Sequence, residues 1–200
     1  VGRASDPNKG IRTLIEALGR TPERITLTLV DNDHPGNEVF KWAREAGVAD
    51  RLRVTGRLPI EELIHHYRTA ALVAVPSRYE GFGLPAVEAM ACGTPVIACA
   101  AGALREVMLQ TRGGITVPID NAVALGNGIS ELMADPERRR VLAETGRGRV
   151  NEMFSWQRIA GRTAEVYAEV LAERRGRPTT TITSASTGAK RAAASAARTQ

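Results

Sequence analysis

Short runs of branched apolar residues alternate with amphipathic stretches along most of this chain, and that alternation leaves few folds open. Residues 25–30 (ITLTLV), 52–55, 71–75 (ALVAV), 95–99 and 114–117 read as short strands. Between them, residues 10–18, 37–46, 60–69 and 84–91 place apolar side chains at helical spacing, as Ile11, Leu14, Ile15 and Leu18 do. Strand–helix–strand alternation implies a parallel sheet with right-handed crossovers. Strands apolar on both faces imply helices on both sides of it. The expectation is an α/β, doubly wound parallel sheet over residues 1–117, with Val1-Gly2-Arg3 as the end of a strand. Mostly helical segments follow at 122–134, 136–154 and 156–172, the last with Ser155 as its N-cap.

From about residue 176 the composition changes to Thr, Ser, Ala and Arg with almost no large apolar side chains. Such a segment cannot offset the entropy of ordering, so residues 176–200 read as a disordered basic tail. The formal charge of +5 gathers near it, at Arg174, Arg175, Arg177, Lys190, Arg191 and Arg198. The globular part is closer to neutral and carries no nucleic-acid signal. The tail could touch acidic surfaces or nucleic acid, and a peripheral membrane contact is open; a solvated tail without a specific partner is the plainer reading. No run of about 18 apolar residues suggests a membrane span, and no signal peptide opens the chain. With no initiator Met, the chain is expected to begin inside a larger protein. Cys92 and Cys99 sit in apolar surroundings and read as buried thiols of a reducing cytoplasm.

In open parallel sheets ligands bind beyond the carboxyl ends of strands. The turn after ALVAV therefore carries the most information: PSRYEGFGLPAVEAMACGTP, residues 76–95. Gly81 and Gly83 let backbone approach a ligand, and Pro85 fits the first turn of a helix, where a missing N–H costs nothing. The helix start then offers free N–H groups and a positive dipole end, which suit phosphate. Glu80 precedes that helix and Glu88 lies inside it, leaning back toward its N-terminus. One carboxylate can accept from both hydroxyls of a ribose, and a second suits sugar hydroxyls. Taken singly, each Glu also has a bland reading, as a loop acid or a helix-dipole acid.

Two Glu residues with seven between them, a Gly-Phe-Gly-Leu-Pro interior and an Ala-Met-Ala-Cys-Gly-Thr-Pro-Val exit resemble the donor-site signature of family-four, group 1 glycosyltransferases. The Gly2-Arg3 and Lys9-Gly10 pairs resemble that family's two diphosphate-neutralising cations. The resemblance covers residues 1–171. It implies the Rossmann-like C-terminal domain of a GT-B fold, residues 1–175, with the N-terminal acceptor domain outside this chain. It implies a retaining hexosyltransferase with Arg3, Lys9 and Glu80 as catalytic residues. Donor contacts would come from Gly81, Phe82, Gly83, Leu84 and Glu88. The co-substrate would be a nucleotide-diphosphate sugar, with no cofactor and no metal. The acceptor, a glycan, lipid or small molecule, is left open. The implied location is the cytoplasm, with the inner face of the membrane as the place to meet a lipid acceptor. By the same resemblance, residues 57–67, Gly102-Leu104-Glu106, and Phe154-Ser155-Trp156 with Tyr167 are structural.

Rival readings remain open at this stage. Asp31-Asn32-Asp33 after a strand could hold Mg²⁺ or Mn²⁺. Followed by Pro35-Gly36 it is also a turn signal. It departs from the family, which usually has Gly there. His65 and His66 point to different faces of one helix, one packed and one exposed. No GxxxxGK[ST], no GxGxxG after the first strand and no GxSxG occurs. Three other functions compete with transfer: a non-catalytic nucleotide-sugar-binding fragment, an interaction protein working through its tail, and a sugar-nucleotide epimerase on the same fold.

Overall fold

Alternate side chains on the central strands enter two different apolar cores, and this fixes the layering of the chain. The computed structural model describes the backbone of residues 1–176 and side chains through residue 174. A 3-10 turn, Pro7–Lys9, leads into α1 (Ile11–Leu18). Next come β1 (Leu27–Leu29), α2 (Glu38–Glu45), β2 (Leu52–Val54), α3 (Ile60–Thr69), β3 (Val73–Val75) and α4 (Leu84–Ala91). Then follow β4 (Val96–Cys99), α5 (Gly102–Thr111), β5 (Gly114–Val117), α6 (Ala122–Ala134), α7 (Pro136–Phe154) and α8 (Trp156–Gly176). Val1–Arg158 is one compact unit, and α8 continues from Ile159 as part of a second.

Among the described residues all strand pairing is parallel. β1 pairs with β2, and β3, β4 and β5 pair in that order. On β4, Ile97 and Cys99 join the core made with α1, α2 and α6, whereas Val96 and Ala98 join the core made with α4 and α5. This period-2 division explains why the whole VIAC segment is buried and reads as continuously apolar. Both faces are covered by helices, as expected for a doubly wound α/β fold. Two details differ from the sequence reading. The strands form a two-stranded and a three-stranded sheet. Val1-Gly2-Arg3 is irregular, with one strand-like bond from the Gly2 N–H to the Val30 carbonyl.

Fully buried Ile15, Leu29, Leu104, Leu125 and Leu132 anchor the cores. Each such side chain contributes about 1.5–3 kcal/mol of burial free energy. α7 approaches unusually closely at Gly146, where a Cβ would lie 2.6 Å from the Gly113 Cα. That approach carries Phe154, at the end of α7, to the loop before α4. α7 starts where Asp135 accepts from the Arg138 N–H at 2.8 Å, with Pro136 in the first turn. The Ser155 hydroxyl accepts from the Arg158 N–H at 3.4 Å, as expected for the α8 N-cap. Of the tail expected over residues 176–200, Gly176 is instead the last residue of α8, and the rest lies outside the described residues. No described helix is long and apolar enough to cross a membrane.

Cys99 ends β4 in the buried interior, and burial, then the Asp120 carboxylate, push its thiol up to about 11. At pH 8 its thiolate fraction is roughly one in a thousand. Cys92 is half-buried. Iodoacetamide at pH 8 is therefore expected to modify Cys92 in the folded chain and spare Cys99, read by peptide mass spectrometry. Equal labelling of the two would mean that β4 opens in solution.

Candidate donor site at the start of α4

Two loops remote in sequence are tied together at the carboxyl end of β3. The Arg78 N–H donates to the Asn8 carbonyl at 2.7 Å. Gly10 lies so close to the other loop that a Cβ would sit 2.1 Å from the Pro76 carbonyl oxygen, and its φ is +61°. Only glycine fits both demands. This junction sets Lys9 beside Glu80: Nζ lies 2.7 Å from Oε1. The same Oε1 accepts from the Ser77 hydroxyl at 2.8 Å. The Lys9 stem runs over Gly2, 3.6 Å from where its Cβ would be. Lys9 keeps further donor capacity, since an ammonium has three N–H groups.

Behind this pair, the Ala103 N–H at the start of α5 donates to the Glu80 carbonyl at 3.2 Å. A Cβ on Gly102 would lie 2.8 Å from that carbonyl, so α5 can seat there only through glycine. Gly83, with φ +91°, caps α4, and a Cβ on it would reach within 2.7 Å of Leu104 Cδ1. Gly81 differs: a Cβ there would meet nothing within 4 Å, so its freedom serves the open side of the loop. Among the described residues, no backbone N–H of residues 81–84 donates to another protein group. Four amides at a helix start, beside an ammonium, form a place for an anion. The Phe82 ring is turned toward Phe154, edge to face at 5.4 Å between centroids.

Glu88 lies one turn into α4 and is exposed. Its Oε2 accepts from the Tyr67 hydroxyl of α3 at 3.0 Å. Burial, then the Glu88 charge, raise the Tyr67 phenol above its ordinary pKa, so it stays a donor to the carboxylate. Arg3 is exposed and, among the described residues, its guanidinium has no ion-pair partner. Asp31 is buried and occupied: it accepts from the Ala4 N–H at 2.8 Å, the Asn32 N–H at 2.7 Å and Asn37 Nδ2 at 3.2 Å. Asp31 thus orders the loop after Arg3 and the start of α2. Among the described residues, no group of three or more His, Cys, Asp or Glu side chains is arranged to hold a metal. His65 is exposed and His66 half-buried, as the helix spacing implies.

Residues 1–149, which include Arg3, Lys9, Glu80, the 81–84 amides and Glu88, match the family described as glycosyl transferases group 1. The chain belongs to that family.

Among curated group 1 relatives, an MMP alpha-(1->4)-mannosyltransferase of Mycolicibacterium hassiacum is 36% identical over 178 residues, 86% of this chain and 43% of the relative. This chain spans about two-fifths of the length of the first curated relatives it matches. Among solved structures, a sucrose-phosphate synthase from Thermosynechococcus elongatus has TM-score 0.79 and 38% identity, over 86% of this chain and 45% of that one. Anabaena HepE, solved in complex with UDP and glucose, has TM-score 0.74 and 27% identity, over 82% and 46%. The C-terminal domain of a Francisella tularensis group 1 glycosyl transferase has TM-score 0.69 and 27% identity, over 78% of this chain and 84% of that structure.

The structure of this group 1 chain brings Lys9, Glu80 and the 81–84 amides together. Glu88 is held separately on Tyr67, and Arg3 lies in the adjoining loop without an ion-pair partner among the described residues. Sequence reasoning missed Ser77, Tyr67 and Leu104 as the residues that fix Glu80, Glu88 and Gly83. Ser77 had a local signal, a hydroxyl three residues before the acid in a turn after a strand. Tyr67 had none, since its partner is 21 residues away on another helix.

Proposed function

We propose that residues 1–175 are the nucleotide-sugar-binding, C-terminal half of a retaining GT-B glycosyltransferase. The whole enzyme transfers a hexosyl unit from a nucleotide-diphosphate sugar to an acceptor. The observation that carries this reading is the Lys9–Glu80 contact of 2.7 Å at the mouth of the free 81–84 amides. A cation beside unpaired amides suits a diphosphate, and a carboxylate beside the cation suits the sugar joined to it. Arg3, in the adjoining loop, is the second cation of this reading, and its planar fork suits phosphate. As the glycosyl bond breaks, charge grows on the leaving diphosphate, and these fixed donors stabilise it without a metal or other cofactor. Glu88, held by Tyr67, binds the ribose. The donor phosphate takes the acceptor proton on the face from which it leaves, which retains configuration.

The relatives support this reading by what their names state: a mannosyltransferase, and a protein solved with UDP and glucose. The match to a structure solved as an isolated C-terminal domain supports the assignment to that half. An N-terminal partner domain would then supply the glycan, lipid or small-molecule acceptor site.

Calorimetric titration with UDP, UDP-glucose, GDP and GDP-mannose in the presence of a chelator tests the donor site. Binding of one base series without metal is the expected result. No binding to any of the four would overturn the reading for this chain. With the preferred donor in hand, Glu88→Gln is expected to weaken binding by about 2 kcal/mol, some thirtyfold, the scale of a lost charge-assisted hydrogen bond. Loss of the same size with a nucleotide lacking the ribose hydroxyls would contradict the ribose role. Retention is checked on the whole enzyme by NMR of the product's anomeric configuration.

A further inference from the structure

The loop between β3 and α4 is fastened at two points. At Glu80 the carboxylate accepts from Lys9 and Ser77, and the carbonyl accepts from the Ala103 N–H at 3.2 Å. At Gly83 the carbonyl accepts from the Ala86 N–H at 3.0 Å, and the Cα is wedged against Leu104. Gly81 and Phe82 lie between these points. Gly81 has no side chain, and its Cβ position is open to 4 Å, so it gives the span no steric restraint on that side. The side chain of the span is that of Phe82. Its ring is 38% exposed and meets Phe154 at 85° between ring planes, with 5.4 Å between centroids. That is an edge-to-face pair, in which the positive edge of one ring points at the negative face of the other.

Phe154 is itself held. It lies one helical turn beyond Val150, which is buried in the core with Val87 and Met90. One turn earlier still, Gly146 brings the α7 backbone against α4, where a Cβ would lie 3.1 Å from Met90 Cγ. The end of α7 is therefore a fixed wall, and the loop leans on it through one ring. We propose that Phe154 is a positioning residue of the donor site, acting through Phe82 to hold the Gly81 and Phe82 N–H groups in the orientation the diphosphate meets. Among the described residues these N–H groups donate to no protein group. An N–H without a partner has no hydrogen bond to orient it, so its direction depends on what fixes the peptide around it. Amides fixed in advance bind an anion without the entropy cost of ordering the loop. The identity of the anion rests on the donor reading, whereas the ordering of the amides rests on the geometry alone, so the two can fail separately.

The test uses the full 200-residue chain. NMR relaxation without ligand reads the amides of Gly81 and Phe82. Their order parameters are expected to be about 0.85 in the unmodified chain and below about 0.6 in Phe154→Ala. Phe154→Leu keeps most of the apolar volume, so it should unfold within a few degrees of the unmodified chain and still loosen the same two amides. Order parameters unchanged in both variants overturn the proposal. Calorimetric titration then compares UDP and GDP with uridine and guanosine. Phe154→Ala is expected to weaken the nucleoside diphosphate that binds by about fivefold, the scale of one aromatic pair, and its nucleoside by less than about twofold. Equal losses for the two ligands overturn the proposal and leave Phe154 a packing role alone. In a Phe82→Ala background, Phe154→Ala should cost nothing further, because the path between them is already cut. Losses that multiply overturn the route through Phe82. A chain that binds neither UDP nor GDP sinks the donor reading, and the order parameters still decide whether Phe154 holds the loop.

Discussion

Gly10→Ala lowers the unfolding midpoint of this chain by about 10 °C, the expected consequence of about 3 kcal/mol lost in a domain of this size. Two costs add at that position. The backbone is left-handed, at φ +61°, which costs an L side chain about 1 kcal/mol. The new methyl would also sit 2.1 Å from the Pro76 carbonyl oxygen, a backbone atom held by the end of β3. Overpacking against such an atom costs about 1–3 kcal/mol. Gly47→Ala separates the two terms. Gly47 has φ +68° but nothing within 4 Å of its Cβ position, so it reports the dihedral cost alone. Differential scanning calorimetry of both variants reads the difference. If Gly10→Ala unfolds no earlier than Gly47→Ala, the two loops are free to separate and the geometry around Lys9 is not fixed by their contact.

Lys9→Ala weakens the binding of a diphosphate donor by about 2 kcal/mol, some thirtyfold, the scale of a hydrogen bond to a charged partner. A nucleoside without phosphates should lose less than about twofold, because nothing on Lys9 reaches for the base or ribose in the proposed arrangement. The contrast between the two ligands carries the conclusion. Equal losses would place Lys9 in the structure of the loop and remove it from the phosphate site. Stability is a separate readout. The Lys9 and Glu80 side chains are 28% and 11% exposed, and a partly desolvated pair of this kind adds little net stability. Its removal, however, leaves the Glu80 carboxylate with Ser77 alone. Glu80→Gln, which keeps an acceptor for both Ser77 and Lys9, tests whether donor binding needs the charge or only the oxygen.

Most of the element order is legible in the sequence because most of the helices carry their own signals. Residues 122–134 and 136–154 are helices with the bounds their caps suggest, Asn121 and Asp135 each accepting from the first turn. α4 was legible through Gly83 and Pro85. α5 carries no such signal: its first residue is Gly102, and no side chain caps it. Its start is fixed instead by the Ala103 N–H, which donates to the Glu80 carbonyl 23 residues earlier in the chain. The apolar run spans residues 25–30, whereas β1 is ordered as a strand only over Leu27–Leu29, where β2 supplies partners. A strand's extent depends on its neighbour, and a single run of apolar residues does not contain that neighbour.

By itself the sequence determined the α/β class, the parallel sense of the strands, the turn before α4 and the identity of the acids and cations around it. These follow from local period, from Gly and Pro positions, and from a signature whose spacing is covalent. Only the tertiary structure decided that Lys9 reaches Glu80 across 71 positions, that Tyr67 holds Glu88, and that Asp31 is consumed in ordering the loop after Arg3. Each of these is a distance between elements. It is set by how the two cores pack and by which glycines let backbones touch, and neither quantity is written in any one segment of the chain.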